Sequence, residues 1–209
     1  MNLMINRPKN PISTLLFAHG AGAPMNSEWM TTVANLFTER DIKVIRFNFA
    51  YMERRFTENK KFPPDRMPKL LKHLEEVISS CRSHGEVEGD LFLGGKSMGS
   101  RVCTSSDILE AKGVICFGFP FCSPGKEDTS RIEALNNSIY SKILINQGDR
   151  DPFGKKEWLK NQALKKSIGI EFYFDGDHDL KPRKKSGKTI KENLTEAVDT
   201  SVRFIKSII

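Results

Sequence analysis

The sequence predicts an α/β fold, a mainly parallel sheet with helices on both faces. Three observations carry that prediction. Short apolar runs alternate with longer amphipathic segments along nearly the whole chain. Several of those runs are apolar on both faces, as buried parallel strands are. The length of 209 residues, 38% of them hydrophobic, suffices to bury one substantial core, so residues 1–209 read as a single domain.

The elements follow in order. The run 14–18 (TLLFA) reads as a strand and 26–40 as a helix, and 43–49 (KVIRFNF) is the next strand. The stretch 50–66 is polar and ends in prolines, which reads as a surface loop or excursion. Then come helix 67–83, strand 90–94 (DLFLG), a small-residue helix over roughly 97–109 and strand 113–119 (GVICFGF). Strand 142–147 (KILINQ), helix 155–167, strand 169–174 (GIEFYF) and helix 190–208 complete the chain. In the last helix Ile190, Leu194, Ala197, Val198, Val202, Ile205 and Ile209 recur at spacings of three and four, which is one helical face. About six strands result, without an internal repeat or a Gly/Ser linker.

Composition excludes several classes. No apolar run approaches the ~18 residues of a membrane span. The N-terminus MNLMINRPKNP lacks the apolar region of a secretory signal, so the expected location is cytoplasmic. The 33 basic residues outnumber the 26 acidic ones, but Lys181, Arg183, Lys184, Lys185, Lys188 and Lys191 crowd into 181–191 with no acid. Without that stretch the chain carries 27 basic against 26 acidic residues, so a general nucleic-acid-binding surface is not indicated. Cys81, Cys103, Cys116 and Cys122 form no C-x-x-C pair and have no histidine at ligand spacing. Neither a metal site nor a disulfide scaffold is expected, and reduced thiols are the simplest reading.

In open α/β sheets chemistry gathers at the carboxyl ends of the strands. After strand 90–94 stands Gly95-Lys96-Ser97-Met98-Gly99, a G-x-S-x-G pattern. A strand turning at once into a helix exposes the serine hydroxyl, and its neighbours at two residues must be small to avoid collision. The same residues resemble the end of a phosphate-binding P-loop, but the glycine that motif requires is Asp90. A nucleophilic serine needs a base. His73 and His84 read as solvated, and His19, in His19-Gly20-Ala21-Gly22, reads as shaping a loop. His178 follows the last strand, where a base can swing over the sheet edge; a plain exposed loop histidine is the alternative. Asp151, in Gln147-Gly148-Asp149-Arg150-Asp151-Pro152, is chosen over Asp149 to hold the imidazole. The order Ser97, Asp151, His178 is that of α/β-hydrolases. The backbone N–H groups of Ala21 and Met98 would then form an oxyanion hole. The first turn also half-matches a dinucleotide fingerprint, but position 25 is Met25 where the third glycine belongs.

The segments FAHGAGA, RFNFAYMERR, PPDR, GGKSMGSR, GFPF-x-x-PGK, NQGDRDPFG and GDHDLKPRKKSG occur in that order between about residues 15 and 188. Together they resemble the small bacterial α/β-hydrolase-fold proteins related to animal testis-expressed protein 30. The hydrolase-like domain of a non-specific-lethal chromatin-complex regulatory subunit is in the same group. The resemblance implies a compact α/β-hydrolase fold lacking the first two strands and any large cap domain, with a triad at Ser97, Asp151 and His178. It delivers no substrate. It also leads one to expect histidine where this chain has Cys122.

These readings converge on a serine hydrolase that cleaves a small-molecule ester, thioester or amide through an acyl-enzyme, without a metal or organic cofactor. The rival is a non-catalytic module of the same fold binding a partner protein or small ligand. Two further candidates border the site. Cys122 either lines the pocket or is a small apolar filler. Lys181 and Arg183, separated by Pro182, either flank the pocket mouth and favour an anionic substrate or belong to a solvated charge run.

Overall fold

The computed structural model describes residues 2–126 and 128–209. The strands are β1 (Leu3–Asn6), β2 (Ser13–Ala18), β3 (Ile42–Phe47), β4 (Asp90–Lys96), β5 (Val114–Phe117), β6 (Ile143–Gly148) and β7 (Ile168–Tyr173). The helices are α1 (Glu28–Thr38), α2 (Ala50–Thr57), α3 (Met67–Ser83), α4 (Met98–Ser105), α5 (Ser130–Asn136), α6 (Lys156–Leu159) and α7 (Ile190–Lys206). All seven strands among the described residues join one sheet in the order β1-β3-β2-β4-β5-β6-β7. Every pairing is parallel except β1 with β3.

The period-two geometry of the strands splits the core. Leu15 and Phe17 of β2, Phe92 of β4 and Ile115 and Phe117 of β5 face α1 and α7. Leu16, Leu91, Leu93, Val114 and Cys116 face α3, α4 and α5. Both faces of the central strands are therefore apolar, which is why they read as continuous hydrophobic runs. Helix α7 is started by a capping box in which Thr189 and Glu192 satisfy each other's backbone N–H groups.

The structure corrects four expectations. Seven strands form rather than six, because Leu3–Asn6 adds an antiparallel edge strand, and one leading strand is thus kept where the resemblance implied the loss of two. Four residues are too few for alternation to register. The strand is held by Arg46, fully enclosed, whose Nη2 donates to Asn6 Oδ1 at 2.9 Å. Residues 50–57, expected as loop, form α2 by burying Tyr51 and Met52. No side chain of its own segment caps that helix, but His73 Nδ1 accepts the Ala50 N–H at 2.9 Å. His73 is therefore half-buried and engaged, not solvated as expected. The helix expected over 155–167 stops at Leu159, because Asn136 pins the following chain through Ala163 O (2.7 Å) and Lys165 N (3.0 Å). Helix α5 was not foreseen; Asp128 accepts from the Ser130 N–H (2.9 Å) and hydroxyl (3.0 Å) at its start. No helix among the described residues is long and apolar enough to cross a membrane.

Phe117 is completely buried and meets the rings of Trp29, Phe37 and Phe17 edge-on at 5.6, 6.2 and 5.7 Å. Phe117→Ala should therefore cost about 3–5 kcal/mol of stability. Chemical denaturation checks this, and a loss below about 1 kcal/mol would show that the ring is not part of a rigid core.

Candidate active site

Strands β2 and β4 are neighbours, yet the chain leaves β2 outward through α1 to β3 before crossing back to β4. The sheet thus reverses its winding between these two strands, the place where a crevice opens at their carboxyl ends. Two turns meet there, residues 19–23 after β2 and Ser97 after β4.

Ser97 sits at φ 53°, ψ −111°, a conformation that a residue with a side chain rarely adopts. Its neighbours leave no other path. A Cβ on Gly95 would lie 2.3 Å from the Gly99 carbonyl carbon, and one on Gly99 would lie 2.4 Å from Ala18 O. Bare glycines let β4, the start of α4 and the end of β2 close onto one another. The serine hydroxyl is left at the sheet edge over the N-terminus of α4.

His178 Nδ1 lies 2.8 Å from Asp151 Oδ2, and Nε2 lies 2.9 Å from Ser97 Oγ. A carboxylate only accepts, so Nδ1 carries the proton and Nε2 accepts from the serine hydroxyl. Asp151 is fully buried and satisfied: Oδ1 accepts the Phe153 N–H at 2.9 Å, and Oδ2 also accepts from Gln147 Nε2 at 2.8 Å. Asp149, the other carboxylate of the turn, instead accepts the Asp175 N–H at 3.0 Å. The structure therefore brings Ser97, His178 and Asp151 into one hydrogen-bonded chain and leaves Asp149 outside it.

The loop after β2 is braced from behind. The Phe49 N–H donates to His19 Nε2 at 3.0 Å, so Nδ1 bears the proton and donates to Gly20 O at 2.6 Å. Burial keeps this imidazole neutral, with its pKa down at about 4. Tyr51 of α2 donates toward Gly20 O (3.3 Å) and Ala21 O (3.2 Å), and Arg55 Nη1 reaches Ala21 O at 3.3 Å. The carbonyls of the loop are thus drawn inward. Among the described residues the N–H groups of Ala21 and Met98 donate to no partner, and both residues border a hollow at Ser97.

The His178 loop is anchored as firmly. Lys96, almost enclosed, donates to His178 O at 2.8 Å, pairs with Asp179 Oδ1 at 3.1 Å and lies 5.6 Å over the Trp29 ring. The Phe153 ring packs on the imidazole at 4.4 Å. Sequence reasoning missed both roles. The only signal was position: Lys96 precedes the serine, and Phe153 lies two past Asp151.

Three other expected site residues stand elsewhere. Cys122 does not line the Ser97 cavities. Its N–H bonds to Phe153 O at 3.0 Å, and it faces a separate hollow with Pro152, Lys155 and Trp158. Arg183 does not border the pocket mouth either, because its guanidinium and N–H clasp Asp175, a nearly buried acid that requires a counter-charge. That clasp, together with Arg150, holds the Asp175 carboxyl down to about 2. The anchoring is therefore in force above the ordinary carboxylate range and is released only as pH falls toward about 2. Lys181 lines an adjoining hollow that shares Trp29 and Asp179 with the Ser97 side.

A family model described as an alpha/beta hydrolase domain matches residues 11–206. Among solved structures, the chain is similar to an alpha-beta serine hydrolase homologue from Coxiella burnetii, with 21% identity, a TM-score of 0.70, and 96% of this chain and 89% of that one covered. An α/β serine hydrolase without lid from Xanthomonas campestris matches at 20% identity and a TM-score of 0.69, covering 96% of this chain and 87% of that one. Dienelactone hydrolase from Anabaena variabilis matches at 15% identity and a TM-score of 0.72, covering 99% and 91%. At such identities these neighbours speak for the fold alone, whereas the family model spans nearly the entire chain. With the sheet order, the turn at Ser97 and that match in agreement, the chain belongs to the alpha/beta hydrolase domain family.

Proposed function

We propose that the protein is a serine hydrolase that cleaves a small ester, thioester or amide through an acyl-enzyme on Ser97. The observation that carries this reading is the continuous Ser97–His178–Asp151 hydrogen-bonded chain, with links of 2.9 and 2.8 Å. In the proposed reaction Ser97 Oγ attacks the scissile carbonyl carbon while its proton passes to His178 Nε2. Asp151, fixed by Gln147 and Phe153, keeps Nδ1 protonated and stabilises the imidazolium. The carbonyl oxygen, now negative, accepts from the Ala21 and Met98 N–H groups, aided by the N-terminal end of α4. Collapse expels the alcohol, thiol or amine, which takes the proton from His178. Water, deprotonated by the same nitrogen, then frees the acid. The substrate is a small molecule, and the motif set from GGKSMGSR to GDHDLKPR supports the narrower kinship with the proteins related to testis-expressed protein 30. Burial of the Cys81, Cys103 and Cys116 thiols fits a reducing, cytoplasmic setting.

Steady-state hydrolysis of an activated ester tests the roles. Ser97→Ala should lose at least about 10³-fold in kcat, and Asp151→Asn should lose on the order of 10⁴-fold, since an amide would favour the wrong imidazole tautomer. Asp149→Asn keeps an acceptor for the Asp175 N–H and should retain most activity. Equal losses at the two aspartates, or a Ser97→Ala protein that keeps a tenth of wild-type turnover, would refute the assignment.

The backbone at Ser97 supplies a second test. Glycine adopts a positive φ without penalty, so Ser97→Gly should be more stable than Ser97→Ala by about 1–3 kcal/mol. Thermal unfolding compares the two, and an alanine variant at least as stable as the glycine one would show that the turn stores no strain.

A further inference from the structure

Ser97 stands between two hollows of about 360 Å³ each. One, toward residues 20–23, Trp29 and Met30, contains Lys96 as its cation, and that charge is already taken by Asp179 and the His178 carbonyl. The other lies toward α3 and α5. It is largely apolar, with Met67, Leu70, Pro120 and Phe153 in its wall, but two arginines, Arg101 and Arg131, also line it.

Among the described residues neither arginine forms an ion pair, and the one acid that feels the Arg131 charge is Asp128 at the start of α5. Arg101 lies one helical turn past the serine on α4, where its N–H bonds to Ser97 O at 3.3 Å. Among the described residues its guanidinium makes no hydrogen bond and no ion pair. Arg131 donates to Pro120 O (3.0 Å) and Cys122 O (3.1 Å), which are neutral acceptors. The one carboxylate in the wall, Asp65, is held by both Arg54 (3.0 Å) and Lys69 (3.1 Å), so its charge is compensated before it reaches the arginines. Burial, and then the nearby charge of Arg131, disfavour the Arg101 cation. The Arg101 cation, without an acid partner among the described residues and set beside Arg131 and an apolar wall, carries an electrostatic cost that a bound anion would remove.

We propose that this hollow is an anion subsite, with Arg101 as its main ligand and Arg131 as its second, and that the substrate is an ester carrying a carboxylate or phosphate group. The scissile carbonyl lies at Ser97, an apolar stretch runs along Met67, Leu70 and Phe153, and the anionic end meets the arginines. The proposal rests on Ser97 as the nucleophile. It also moves the selectivity for anions from the Lys181–Arg183 side, where sequence reasoning looked for it, to the opposite side of the serine.

The test uses two readouts. First, kcat/KM is compared for p-nitrophenyl butyrate, the mono-p-nitrophenyl ester of glutarate, and a phosphate-bearing ester of similar length. The wild type should prefer an anionic ester by about tenfold to a hundredfold, the scale of charge-assisted hydrogen bonds. Whichever anionic ester carries the preference identifies the group. R101Q should bring the ratio of anionic to neutral substrate near one, and R101K, which keeps the charge without the fork, should fall between. Second, calorimetric binding of glutarate and of inorganic phosphate is measured on S97A and on S97A/R101Q, which does not depend on turnover. Binding to the first that is lost in the second supports the subsite. A wild-type ratio at or below one, a ratio that neither R101Q nor R101K changes, or anion binding that survives in S97A/R101Q would overturn it. Arg101-dependent binding without turnover of any ester would spare the subsite and refute the nucleophile instead.

Discussion

The chemistry proposed at this sheet edge depends on one backbone torsion, the positive φ of Ser97. It turns β4 into α4 without a loop, which puts the hydroxyl over the sheet and leaves the Met98 N–H behind it without a partner among the described residues. The turn survives because three backbones converge on it at distances that only glycine at 95 and 99 permits. The strain is thus set by the packing of β2, β4 and α4 and is borne by the large apolar core beneath. A functional serine on a less crowded turn would relax, and its hydroxyl would leave the line of His178.

The other two groups are aimed by polar contacts that penetrate the fold. The His178 loop is clipped from three directions: by Lys96 at its carbonyl, by Asp151 at Nδ1, and by the Arg150–Asp175–Arg183 cluster just before and after it. Gly148 also lets the end of β6 approach the loop, since a Cβ there would lie 2.2 Å from Asp177 O. Residues 20–21 are clipped in the same way by His19, Tyr51 and Arg55. Lys96, His19, Tyr51 and Arg55 each donate to a loop carbonyl, which fixes the peptides that carry the side chain or N–H facing the serine. The second helix and the basic run, which look peripheral in the chain, are part of this support.

Much of the architecture was legible in the sequence because central parallel strands are apolar on both faces and Ser97, Asp151 and His178 each follow a strand end. Strands around TLLFA, KVIRFNF and KILINQ lie close to their expected positions. What escaped was decided by tertiary partners. Leu3–Asn6 becomes a strand through Arg46, α2 is capped by His73 from another helix, and residues 163–165 are kept from helix by Asn136. The same reason explains the errors at the site. Position near His178 suggested Arg183 as a pocket residue, but Asp175, nearly buried and eight residues away, claims it. Arg101 stands in GGKSMGSR but has no role legible there, since nothing local distinguishes an arginine with a carboxylate partner from one without.

The central claim is that Ser97 is an activated nucleophile and not merely a serine on a strained turn. Its most direct measurement is intact-mass and peptide mass spectrometry of the wild-type protein after exposure to a fluorophosphonate, beside His178→Ala under the same conditions. An activated Ser97 gives a single stoichiometric adduct that maps to the peptide containing Ser97, and labelling slows by orders of magnitude when His178 is removed. A wild-type protein that stays unmodified, that is modified at another residue, or that labels at the same rate without His178 contradicts it.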